Sequence, residues 1–164
     1  MMDTIDEQAD SSALELDDLE AALIAPEVAR MVAAAADSAS RHRYEELATA
    51  VANRQLGQEH QTIVAALLEL LINSGRLRNQ NGPTAEAVAR ALYRRTGPGK
   101  AAAASAAALG TALAKLKGQR IENFAASLRG PGSFALSLET TDFHLVIRID
   151  PSGCSIDSLE VNLG

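Results

Sequence analysis

The hydrophobic repeat of this chain changes once, at Gly118, and that change restricts the fold more than any other feature. Before Gly118 the apolar residues recur every three or four positions, the helical period. After it they alternate with polar ones, the period of a half-buried strand. A run of helices followed by a run of strands predicts an α+β fold, with a helical N-terminal and central body and a C-terminal antiparallel β-meander. With 164 residues, 47% of them apolar, the chain can bury a core. Aromatics are 3% and Trp is absent, so the core rests on Leu, Val, Ile and Ala, and a base-stacking or sugar-stacking platform is disfavoured.

The organisation expected is a disordered acidic arm over residues 1–11 and a single α+β domain over 12–164, helical over 12–118 and β-rich over 119–164. Ser11 or Ser12 caps a helix reaching about Ile24, with Glu15 at capping-box distance from Ser12. Pro26 opens a second helix, and a third runs from about His42 to Leu56 and ends at Gly57 as a left-handed cap. Residues 58–73 are apolar around most of the helix and belong in the middle of the fold. RLRNQNGP is a turn-rich connection, Thr84 caps a helix whose stripe is Ala87, Val88, Ala91 and Leu92, and an Ala-rich helix spans about Lys100 to Lys117. RIENFAASL fits either a strand or a short helix. Phe134, Leu136 and Leu138 alternate, as do Phe143, Leu145, Ile147 and Ile149. Asp150–Gly153 reads as a hairpin turn, and Ile156 falls out of phase with Leu159, Val161 and Leu163, which predicts a bulge near Asp157–Ser158.

Charge is distributed unevenly. Between Gly75 and Gly130 there are ten basic and two acidic residues, against five basic and nineteen acidic elsewhere, within a net charge of −6. The first twenty residues hold eight acids and no Lys or Arg. Such asymmetry speaks to partners rather than fold. Arg94, Arg95, Lys100, Lys115, Lys117 and Arg129 are the candidate polyanion contacts. Leu16, Leu19 and Leu23 share a helical face beside the acids and are the candidate partner-docking stripe. The order helix, short RLR strand, helix, helix, two-stranded hairpin between residues 58 and 138 is that of a winged helix.

Chemistry-bearing constellations are sparse. A single Cys excludes a disulfide framework and a Cys-based zinc site, and three scattered His add no metal pattern, so no metal and no cofactor is expected. Cys154 and His144 read as an ordinary small residue and a strand-face His rather than a nucleophile and base. GPGK at 97–100 precedes a helix but lacks the phosphate-loop spacing, and reads as a helix–helix linker. There is no signal-like N-terminus and no membrane-length apolar run, which points to a cytoplasmic protein without membrane association. The function expected is therefore non-enzymatic: a regulatory or adaptor protein acting through a protein partner or self-association, by way of its acidic arm and basic centre, with no small-molecule substrate. The alternative is a winged-helix-like DNA-binding regulator that uses the 75–130 segment on nucleic acid.

Overall fold

The computed structural model describes residues 13–151 and 153–161, so the arm over residues 1–11 and a cap at Ser11 or Ser12 lie outside the described residues. Helices precede a C-terminal antiparallel sheet, an α+β fold. The chain divides between Lys100 and Ala101 into two compact units.

The first unit opens with a two-residue strand, β1 (Leu14–Glu15), paired antiparallel with β2 (Gln55–Leu56). Leu14 and Leu16 are buried with Glu15 exposed between them, a period of two that favours extended chain over the expected helix. Helix α1 (Asp18–Ala34) therefore starts later than expected. Its capping box is Asp17 with Glu20: the Glu20 N–H donates to Asp17 Oδ1, and the Asp17 N–H donates to Glu20 Oε2. Pro26 does not begin a new helix; α1 runs through it. A proline there forfeits one backbone hydrogen bond, and burial of Ile24 and Val28 on one face holds the helix together across it.

Helix α2 (Ser38–Ala52) is capped by Asp37, four residues before the expected start, and Leu56 belongs to β2 instead. Gly57 is not a left-handed cap. It is the extended residue before α3 (Gln58–Asn73), and Arg54 takes the positive φ, 60°. Helix α3 has the expected bounds and buries Val64, Ala65, Leu68 and Leu71, while Leu70 stays exposed. Helix α4 (Arg76–Arg95) absorbs the RLRNQNGP connection, with its break confined to Gly82 at φ 80°. Its inward residues are Glu86, Ala89 and Leu92, so the expected stripe is rotated and Ala87 faces out. Arg78 and Arg90 both bond Glu86, fastening the first turn of α4 to the helix beyond the break. Ile24, Val28, Leu47, Leu56, Val64, Leu68, Leu71 and Leu92 form one leucine-rich core.

Helix α5 (Gly97–Lys115) begins at the end of the first unit and supplies the only helix among the described residues of the second. Gly118, at φ 83°, closes it as expected. The ambiguous RIENFAASL is a strand, β3 (Ile121–Gly130), followed by β4 (Ser133–Thr140), β5 (Phe143–Asp150) and β6 (Gly153–Val161). The order β3-β4-β5-β6 is an antiparallel meander. Leu145 and Ile147 point inward, as their phase requires. Val146 pairs with Ser158 and Ile147 with Ile156, leaving Asp157 as the extra residue of a bulge where the out-of-phase Ile156 demanded one. Arg76–Arg78 is helical rather than a short strand, and β3 and β4 belong to a four-stranded sheet rather than a two-stranded wing. Residues 58–138 thus lack the short strand of the winged-helix order, and its expected hairpin is half of a larger sheet.

Candidate functional site

Cross-strand register determines which side chains share a face. Phe124, Ala126 and Leu128 of β3 pair with Leu138, Leu136 and Phe134 of β4, which pair in turn with Leu145, Ile147 and Ile149 of β5. Paired residues lie on the same side of a sheet, so these nine side chains make one continuous apolar face. Leu109 and Ala112 of helix α5, with Leu116 just beyond its end, cover part of it and meet residues of β4, β5 and β6. No β3 residue joins that core. Strand β3 is exposed from Ile121 to Arg129 on both sides, with Phe124 at 59% and Leu128 at 70%.

A bulge makes this strip longer. Ile121 pairs with Thr140 and Asn123 with Glu139, so Glu122 is the extra residue. Without it, alternation would place Glu122 beside Phe124 on the apolar face; with it, Ile121 takes that side. A second irregularity, at Arg129, ends the regular stretch before Gly130. Between the two, Asn123–Leu128 is a regular strand whose outer edge, among the described residues, pairs with no other strand. Such an edge beside apolar side chains is a template for another chain. The alternation of Phe124, Ala126 and Leu128 was visible in the sequence. What was missing was the strand order, which makes β3 an outer strand beyond the reach of α5.

The six candidate cations divide between the units: Arg94, Arg95 and Lys100 in the first, Lys115, Lys117 and Arg129 in the second. Arg95 serves the fold. Its Nη1 donates to both carboxylate oxygens of Glu20, at 2.6 and 2.8 Å, and its Nη2 donates to the Glu15 carbonyl. Glu20 is 4% exposed, so Arg95 compensates a buried charge and ties the end of α4 to the start of α1. Arg129 lies 3.4 Å from Asp157. The side chains of Arg94, Lys100, Lys115 and Lys117 are exposed. In the leucine stripe, Leu16 is buried in the core of the first unit and Leu23 is half-buried against it. Leu19 is 66% exposed and lines, with Leu23 and Val88, an open groove of about 300 Å³ between α1 and α4.

The 97–100 segment has no amide left for an anion. The Gly97 N–H donates to Gln61 Oε1, the Gly99 N–H to Thr96 Oγ1 and the Lys100 N–H to the Thr96 carbonyl, while Pro98 has no N–H. A Cβ on Gly99 would stand 1.8 Å from the Tyr93 carbonyl oxygen, so only glycine fits this corner. GPGK is therefore not the linker that the sequence suggested: it forms the first turn of α5, and only Thr96 separates α4 from α5.

Cys154 and His144 are not brought together: Cys154 packs in the apolar core opposite Ile149, and His144 lies on the polar face opposite Glu139 and Glu160. The sequence reading missed a contact between His144 Nε2 and Ser137 Oγ, 2.8 Å apart on neighbouring strands. Two strand-face partners without an orienting group bonded to the other ring nitrogen do not make a nucleophilic site. Among the described residues no three His, Cys, Asp or Glu side chains converge as metal ligands, and no helix is long and apolar enough to cross a membrane. No family model, no curated protein and no solved structure matches this chain.

Proposed function

We propose that this chain is a non-enzymatic adaptor or regulator of the cytoplasm, acting through protein–protein contact, and that β3 of the second unit is its docking edge. One observation carries the reading: an outer strand exposes Ile121, Phe124 and Leu128 on a face that α5 covers over parts of β4, β5 and β6 but not over β3. Strand addition supplies backbone hydrogen bonds, and the alternate apolar side chains supply specificity. The acidic arm and the exposed cations Arg94, Lys100, Lys115 and Lys117 bias the choice of partner and its rate of encounter.

The test is recovery of bound protein from native extract with the full chain and with Leu128→Asp and Phe124→Asp. Recovery that falls at least tenfold with both variants, and not with Glu139→Gln on the opposite face, supports the reading. Recovery indifferent to all three overturns it. Nucleic-acid binding is the weaker reading, since Arg95 is committed to Glu20 and the segment lacks the short strand of the winged-helix order. A salt-dependent shift of generic duplex DNA at low salt would revive it.

A further inference from the structure

We infer that the occupant of the β3 edge is a second copy of this chain, joined β3 to β3, antiparallel, about a two-fold axis through Ala126. This rests on the docking reading above and names its partner.

The first argument is the pattern of the strand itself. On the apolar face β3 reads large, small, large: Phe124, Ala126, Leu128. A two-fold at Ala126 sets Phe124 of each copy against Leu128 of the other and the two small Ala126 residues against each other. On the opposite face Ala125 meets Ser127, both small. Aromatic–aliphatic cross-strand pairs are favourable, and an isologous contact requires this kind of self-matching sequence. The pairing also continues both apolar faces on one side of a joined eight-stranded sheet.

Charge chooses the direction. The two bulge residues carry opposite charges at opposite ends of β3, Glu122 and Arg129. Antiparallel pairing brings Arg129 of one copy to the end where Glu122 of the other lies, twice per dimer. Parallel pairing would place like charges together.

The two edges of the sheet are also treated differently. β6 is interrupted mid-strand by the Asp157 bulge and carries Ser155, Ser158 and Glu160, features that discourage edge pairing. β3 keeps its irregularities at its ends and holds no Pro and no Lys between them. The exposed parts of Ile121, Phe124 and Leu128, doubled by symmetry and added to two backbone edges, come to on the order of 1,000 Å², the lower end for a specific interface.

The experiment is sedimentation of the full chain over a hundredfold range of concentration, with three variants. The wild type should pass from monomer to dimer mass, and Ala126→Arg and Leu128→Glu should each raise the midpoint at least tenfold. In a Cys154→Ser background, Ala126→Cys should form an intermolecular disulfide on mild oxidation, because residues directly opposite in an antiparallel pair have Cα atoms about 4.5–5.5 Å apart. Ala125→Cys, which is opposite Ser127 of the other copy, should not. A monomer at every concentration overturns the dimer, as does a dimer that survives Leu128→Glu or crosslinks equally at both positions. A monomer that still recovers a partner through β3 overturns the dimer and leaves the docking reading standing. A β3-linked dimer whose extract recovery ignores β3 upholds the dimer and overturns capture of a different protein by that edge.

Discussion

The two units handle apolar surface in opposite ways. In the first, four helices enclose a leucine core, and the polar groups drawn inside with it are paired: Glu20 with Arg95, Glu86 with Arg78 and Arg90, and Gln61 with the Leu56 carbonyl and the Gly97 amide. In the second, one helix must cover four strands, and among the described residues only Ala112, Ala135, Thr140, Leu145 and Ile147 are buried. An α-helix is about 10 Å across and adjacent strands are about 4.8 Å apart, so a single helix shields roughly two strands well and a third in part. The fourth strand is left out. The first unit is built to be complete; the second is built with a remainder.

That contrast can be broken by substitution. Leu68→Ala in the core of the first unit should lower stability by about 2–5 kcal/mol in denaturant titration, and Ile147→Ala in the second by a similar or slightly smaller amount. Leu128→Ala, equally apolar, should change the monomer by about 0.5 kcal/mol or less, because that side chain is 70% exposed. A loss at Leu128 as large as at Ile147 would mean that β3 is already covered in the free chain.

Two adjacent arginines sharpen the comparison within the first unit. Arg95→Ala strands the buried Glu20 carboxylate and should cost about 1–3 kcal/mol. Arg94→Ala, one residue earlier and exposed, should cost about 0.5 kcal/mol or less. Thermal melts of the pair read the difference directly; equal costs would disprove the assignment of Arg95 to the fold. His144→Ala, losing one strand-face hydrogen bond to Ser137, should cost about 0.5–1 kcal/mol.

Acid and alkali probe the same pairings with smaller effects. Hydrogen bonds from Arg78 and then Arg90 hold the Glu86 carboxyl below the usual carboxylate range. A lowered folded pKa contributes stability above the ordinary value that is lost as pH falls through the lowered one. Denaturant titrations on the acid side should therefore show a pH slope that Glu86→Gln reduces. Tyr93 behaves oppositely. Its Oη donates to Glu69 at 2.7 Å, which pushes the phenol up to about 12, so that contribution is present below the ordinary value of 10.0 and lost as pH rises through about 12. Glu69→Gln should lower the midpoint of a phenolate absorbance titration; an unmoved midpoint would discard the contact.

Periodicity proved a good guide to element type and a poor one to element ends. α3, β5, the Gly118 stop and the Asp157 bulge were legible because each rests on local pattern. The start of α1 was not, because Leu16 fits either a helical stripe with Leu19 and Leu23 or an extended pair with Leu14, and only the match to Gln55–Leu56 decides between them. Pro26 misled because its local cost is offset by the burial of Ile24 and Val28 around it. The candidate cations were chosen by density along the chain, a measure blind to Glu20 lying opposite Arg95, seventy-five residues away. The exposed strip on β3 was hidden for a related reason: exposure belongs to strand order and to the number of helices available, not to the strand's own residues.

The meander also dictates a history. Each strand of the sheet pairs with the one synthesised immediately before it, so closure needs only short loops and proceeds quickly as chain emerges. β3 is the first strand made, and β4 returns to it while β5 and β6 are still to come. Its outer edge is therefore the oldest surface of the sheet, presented throughout synthesis, while β4 loses its open side as soon as β5 arrives.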